Sequence, residues 1–232
     1  METEALARLG ELVLVPVIEI PDPELASPLA DALVEGGLPC AEITFRTEAA
    51  ATALASMVRL RPDMLVGAGT VLGVDQVDRA LDAGAKFLVS PGFNPKVVEH
   101  ALGKGAVVLP GICTASEIEM ARMSGLDTVK FFPAEAAGGA KYIKALTAPY
   151  RSVRFVPTGG IDANNLEGYL SIPQVLAVGG SWMAPKSLLQ ERKFAEIAQR
   201  TREAVTLARR LRPAVAVDGA AGGGGILIGG AR

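Results

Sequence analysis

The stretch Met64-Leu65-Val66-Gly67-Ala68-Gly69-Thr70, the amphipathic segment Asp75–Ala83 with Gly84 behind it, and Phe87-Leu88-Val89-Ser90-Pro91-Gly92 read as strand, helix and strand. Both apolar runs are hydrophobic on their two faces, as a parallel strand covered by helices must be. Gly84 falls just past the helical periodicity, the position where glycine ends a helix without a Cβ clash.

The same unit recurs along the chain. Further short apolar runs lie at Leu12–Ile20, Cys40–Phe45, Ala106–Ile112, Thr128–Pro133, Arg154–Gly160 and Val175–Gly180. Amphipathic segments at Pro23–Glu35, Glu48–Arg61 and Ser187–Arg210 alternate with them, and Gly36-Gly37, Gly103 and Gly125 supply further helix stops. Such alternation builds either a closed (β/α)8 barrel or an open doubly wound sheet. No GxGxxG follows the first run and no GxxxxGK[ST] occurs anywhere, so the nucleotide-binding form of the open sheet lacks its signatures. The count of eight runs favours the barrel. The expectation is an α/β chain with a single (β/α)8 TIM barrel over residues 1–212 and a flexible Gly-rich C-terminal tail at 213–232, where Gly222–Gly225 interrupt any packing pattern.

Composition narrows the function. Twenty-three basic against 25 acidic side chains give a net charge of −2, which leaves no broad basic surface for nucleic acid. Leu12–Ile20 is too short to span a bilayer and contains Glu19, and the chain opens without a basic-then-apolar leader, so no membrane partner is expected. Cys40 and Cys113 form no CxxC and no disulfide framework, which points to a reduced, cytoplasmic setting. His100 is the chain's single histidine and reads as a structural helix position. Chemistry must then come from carboxylates, lysines, backbone amides or a carboxylate-bound Mg²⁺, without the imidazole on which zinc sites and general bases usually rely.

In a barrel the C-terminal strand ends carry the site. Side chains alternate along a strand, so Glu42, Thr44 and Arg46 share one face while Ile43 and Phe45 take the other. Thr128, Lys130 and Phe132 repeat the pattern. Of eight lysines only Lys130 lies inside a strand core. Burial disfavours an ammonium, and a neutral amine in a dry pocket is the nucleophile that Schiff-base chemistry requires. A purely structural ion pair between Lys130 and Glu42 fits the same spacing. The loops Pro157-Thr158-Gly159-Gly160-Ile161 and Gly179-Gly180-Ser181-Trp182 end the last two runs, where barrels often bind phosphate through exposed backbone amides. Asp162 and Asn164 read as helix caps beside that anion site. Thr70 and Arg46 suit a carboxylate, although Thr70 also reads as a helix N-cap.

The strings Glu42-Ile43-Thr44-Phe45-Arg46-Thr47, Gly67–Thr70, Ser90-Pro91-Gly92, Val129-Lys130-Phe131-Phe132-Pro133-Ala134-Glu135, Pro157–Ile161 and Gly179–Trp182 resemble the 2-keto-3-deoxy-6-phosphogluconate (KDPG) and 4-hydroxy-2-oxoglutarate (KHG) aldolase family. They match in order over about residues 12–205, and the Lys-Phe-Phe-Pro-Ala-Glu string is the most specific. The resemblance implies a class I aldolase with no metal and no cofactor, acting on a phosphorylated keto acid and releasing pyruvate, and assembled as a homotrimer. It implies Lys130 as the Schiff-base lysine and Glu42 as the general acid/base. Arg46 and Thr70 would hold the pyruvyl carboxylate, Pro91 and Phe132 shape the pocket, and Thr158 lie near the pyruvyl group. Gly159, Gly160, Gly180 and Ser181 would take the phosphate.

Two features depart from the pattern: the acid Glu19 at the end of the first run, and the Gly-rich tail. An acid at the mouth is expected to repel an anionic substrate or shift the aldehyde preference. Within the family, 4-hydroxy-2-oxoglutarate or the galactonate-series phospho-sugar acid are alternative substrates. From another class, a non-catalytic phosphate-binding or scaffold barrel is the alternative, and a charged lysine kept in a strand core argues against it.

Overall fold

The chain lays down strands β1 (Leu14–Ile18), β2 (Cys40–Thr44), β3 (Leu65–Gly69), β4 (Leu88–Val89), β5 (Val108–Leu109), β6 (Gly111–Ile112), β7 (Thr128–Phe131), β8 (Arg154–Pro157) and β9 (Val178–Gly180). Helices α1 (Glu4–Leu12), α2 (Ala26–Glu35), α3 (Ala50–Leu60), α4 (Val74–Asp82), α5 (Pro95–Gly103), α6 (Ala115–Met123), α7 (Gly139–Thr147), α8 (Leu166–Leu170), α9 (Lys186–Gln190) and α10 (Phe194–Leu211) alternate with them. This computed structural model describes residues 3–212, and the expected tail at 213–232 lies outside the described residues. The architecture is an α/β fold whose parallel sheet curls into a half-barrel.

Strand order is β5-β4-β3-β2-β1-β9 in one sheet and β6-β7-β8 in the other, and every pairing is parallel. Single bridges at Phe155↔Val175 and Thr158↔Gly179 link the segment around β8 to the segment leading into β9. The expected run Ala106–Ile112 is divided at Pro110 into β5, which pairs with β4, and β6, which pairs with β7. Proline has no N–H for the ladder, so the run changes partner there.

Alternation sorts the strand residues as expected. Ile43 is wholly buried in one core cluster with Leu29 and Leu33 of α2 and Leu54 of α3, whereas Glu42 and Thr44 occupy the opposite face. Val129, Phe131 and Phe155 likewise lie in the core, with Tyr169 of α8 packed into the same cluster.

Two helical segments differ from the sequence reading. The opening residues form α1, capped by the Thr3 hydroxyl, which accepts from the Leu6 N–H at 3.4 Å. The expected helix Ser187–Arg210 is two helices, because Arg192 adopts φ 53° between α9 and α10. At the far end Arg212 donates to the carbonyls of Val175 at 2.7 Å and Leu170 at 2.9 Å, which pins the end of α10 to α8 and to the segment before β9.

At the mouth, α6 starts with a capping box. The Thr114 hydroxyl accepts from the Glu117 N–H, and Glu117 Oε2 accepts from the N–H groups of Thr114 and Cys113, both at 2.8 Å. Partial burial pushes the Glu117 carboxyl up. The bonds from Cys113 N–H, the Thr114 hydroxyl and Thr114 N–H together outweigh it and hold the carboxyl below its ordinary value. A lowered carboxyl stabilises the fold above the ordinary glutamate range near ~4.3 and loses that increment as pH falls through the native value. Thr114→Ala should cost about 1 kcal/mol in urea unfolding at neutral pH. The difference from the parent should shrink below about pH 4.

Candidate active site

Lys130 and Glu42 approach each other from different sheets. Glu42 lies on β2 between Val17 of β1 and Gly67 of β3, and Lys130 on β7 between Gly111 and Val156. Lys130 Nζ donates to Glu42 Oε1 at 3.3 Å, with side-chain exposures of only 7% and 4%. Nζ also sits 5.3 Å from the centroid of the Phe132 ring, within the range of a cation–π contact for a cationic nitrogen. Gly69 makes room for the pair: a Cβ there would lie 2.2 Å from Glu42 Oε1. A carboxylate in hydrogen-bond contact with a buried amine can pass protons to and from whatever that amine holds.

Above this pair, Arg46 Nε donates to the Thr70 hydroxyl at 3.1 Å, and Thr70 adopts φ 56°. Thr70 therefore turns its hydroxyl to Arg46 rather than capping α4, whose N-cap position belongs to Gly73. Glu19, the residue flagged as a departure, stands between cations. Its Oε1 accepts from Lys186 Nζ at 2.5 Å and its Oε2 lies 3.9 Å from Arg46. Pro91 and Phe132 are partly exposed at the strand ends. Thr158 is buried, and its hydroxyl has no hydrogen-bond partner, an arrangement that costs free energy unless a ligand supplies the bond.

Gly159 and Gly160 have φ 104° and 78°, a left-handed pair whose carbonyls are tied back into the protein, that of Gly159 accepting from Glu135 N–H at 3.0 Å and that of Gly160 from Asn165 Nδ2. A Cβ on Gly160 would lie 2.8 Å from Glu135 Cβ, so space and φ both require glycine. Gly180 is buried against the Trp182 ring and Ser181 is exposed beside it. The bridge Thr158↔Gly179 holds the two glycine loops next to each other.

Some supports were not read from the sequence. Asn165 rather than Asn164 braces the first loop, accepting from Asp162 N–H at 2.9 Å and donating to the Gly160 carbonyl at 3.0 Å. Asp162 makes a local turn, accepting from Asn164 N–H at 2.8 Å. The Tyr169 hydroxyl donates to Glu135 in a short bond, and burial followed by that contact pushes the phenol up. Glu135 lay in the quoted Lys-Phe-Phe-Pro-Ala-Glu string, but its partner is 34 residues away and left no local signal. His100 is remote from this cluster: it bonds Asp78 at 2.9 Å between α5 and α4, the structural role expected of it. Among the described residues, no group of three or more His, Cys, Asp or Glu is gathered for a metal, and no helix is long and apolar enough to cross a membrane.

The model of the aldolase family described as KDPG and KHG aldolase matches residues 6–200. The chain belongs to the KDPG and KHG aldolase family. A 2-dehydro-3-deoxy-phosphogluconate aldolase of Treponema pallidum is 51% identical over 194 residues, covering 84% of this chain and 91% of the relative. Among solved structures, a KDPG aldolase from Legionella pneumophila with pyruvate captured as a covalent carbinolamine superposes with a TM-score of 0.84 at 36% identity, covering 88% of this chain and 98% of that one. The Zymomonas mobilis ZM4 aldolase with 3-phosphoglycerate gives 0.82 at 39% identity, covering 87% and 95%.

In this aldolase-family chain the buried pair is open to a direct thermodynamic test. Lys130→Met strands Glu42 in the core and should lower the free energy of urea unfolding by about 3 kcal/mol. The double variant Lys130→Met/Glu42→Gln should recover most of the loss, since no unpaired charge remains buried.

Proposed function

We propose that the chain is a class I aldolase that cleaves 2-dehydro-3-deoxy-6-phosphogluconate to pyruvate and glyceraldehyde 3-phosphate through a Schiff base on Lys130. The observation that carries this reading is the buried amine of Lys130 in contact with the carboxylate of Glu42, 3.3 Å away. Family membership supports it, as does the covalent pyruvate adduct of the Legionella relative.

Lys130 Nζ, as the free amine, attacks the C2 ketone, and the carbinolamine loses water to give a protonated imine. Glu42 takes the C4 hydroxyl proton. The C3–C4 bond breaks, its electrons pass to the iminium nitrogen, and glyceraldehyde 3-phosphate leaves an enamine on Lys130. Glu42 returns a proton to C3, and water hydrolyses the resulting imine to pyruvate and free lysine. The positive imine nitrogen is the sink where the electron pair accumulates, and the Phe132 ring, 5.3 Å from Nζ, faces the cationic iminium.

In the same reading Arg46 and Thr70 hold the pyruvyl carboxylate, and the unpaired Thr158 hydroxyl bonds the pyruvyl group. Pro91 closes the pocket wall. The positive-φ pair Gly159 and Gly160, with Gly180 and Ser181, takes the phosphate. This glycine-built end favours the phosphorylated substrate over 4-hydroxy-2-oxoglutarate, which ends in a carboxylate. The galactonate-series sugar acid shares the phosphate and differs at C4.

The sheets are read as one closed (β/α)8 barrel in a single domain. Support comes from β5 and β6 being halves of one run and from the bridges that join β8 to the β9 side. A homotrimer, and a cytoplasmic location consistent with the free thiols of Cys40 and Cys113, complete the proposal.

Borohydride reduction in the presence of pyruvate should leave a stable adduct on the Lys130 peptide, read by mass spectrometry; no adduct on folded protein would overturn the reading. Turnover should persist in excess EDTA. Glu42→Gln should retain some imine formation while slowing cleavage by about 100-fold or more. Ser181→Ala should raise KM for the phosphorylated substrate with little change for an unphosphorylated analogue.

A further inference from the structure

Glu19 is an acid in the mouth of a pocket that must admit an anion, and its surroundings assign a task to a residue outside the motifs, Lys186. The β1–β2 register pairs Val17 with Glu42, so Glu19 follows on the same face, about 7 Å further towards the mouth. It stands beside Arg46, whose Nε is held by the Thr70 hydroxyl at 3.1 Å. A guanidinium takes a carboxylate best through two parallel hydrogen bonds, and Glu19 is a carboxylate within reach of that fork. It does not dock there. Its Oε2 stops 3.9 Å from Arg46, while its Oε1 takes Lys186 Nζ at 2.5 Å.

We propose that Lys186 is a positioning residue that keeps Glu19 off the Arg46 fork, leaving the fork open to the carboxylate of the substrate. The inference rests on Arg46 holding the pyruvyl carboxylate, as proposed above. With Lys186 removed, Glu19 closes on Arg46 and the substrate carboxylate must displace it. The small cluster also loses its net positive charge, since Arg46 and Lys186 outnumber Glu19 by one. Both effects act on binding and neither touches Lys130. The side chains of Lys186 and Glu19 are 53% and 28% exposed, so water screens the pair and the effect is severalfold rather than absolute.

The test is the pyruvate concentration that half-saturates borohydride trapping on the full chain. Lys186→Met should raise it about fivefold while the plateau of trapped protein stays unchanged. Lys186→Arg should behave as the parent. Lys186→Met/Glu19→Gln should return to the parental value, because the competing carboxylate is gone, a rescue that a merely structural role for Lys186 would not produce. An unchanged half-saturation in Lys186→Met, or a double variant as weak as the single, would overturn the proposal. Absence of trapping in the parent would instead sink the aldolase reading itself. Trapping with normal half-saturation in Arg46→Ala would remove the carboxylate contact on which this inference stands.

Discussion

Lys130 and Glu42 set the terms for the rest of the molecule. Each is almost wholly withdrawn from water, at 6% and 3% exposure, and neither charge is tolerable there without the other. They belong to different sheets, so they meet only if the sheets curve to face a common interior. The apolar outer faces of β2 and β7 follow from the same demand: Ile43, Val129 and Phe131 pack outward because Glu42 and Lys130 point inward. Gly69 is small because the Glu42 carboxylate occupies the space where its Cβ would be.

Around that buried pair the polar groups change character with depth. At the bottom stand the amine of Lys130 and the carboxyl group of Glu42 in contact at 3.3 Å. Higher up, Arg46, Thr70, Glu19 and Lys186 form a partly solvated cluster whose members lie 2.5–3.9 Å from one another. At the side of the glycine loops, charged side chains give way to the backbone of Gly159 and Gly160, braced by Asn165. This grading suits a substrate with an uncharged reacting centre and an anion at each end. Backbone amides bind an anion without adding a mobile side chain, and water screens the partly exposed rim charges.

The strand faces were legible because alternation is a local rule. Glu42, Thr44 and Arg46 against Ile43 and Phe45 can be sorted with no knowledge of the fold, and a lone lysine inside an apolar run announces itself. Helix ends were less legible. Thr3 caps a short helix whose opening residues carry a mixed pattern, and the break at Arg192 depends on a single left-handed residue inside an otherwise helical periodicity. The supports of the glycine loop were not legible. Asn165 sits one residue from the position read as a cap, and Glu135 finds Tyr169 across a turn of the fold.

The sequence by itself determined which residues turn inward, where the strands and most helices fall, and which chemistry the inward set can perform, because periodicity, glycine stops and residue type act over a few neighbours. The tertiary structure alone decided that Lys130 reaches Glu42 across 88 positions and that Lys186, 167 positions from Glu19, holds that acid beside Arg46. Such contacts arise where separate strands and loops converge at one end of a curled sheet. No local pattern encodes that convergence.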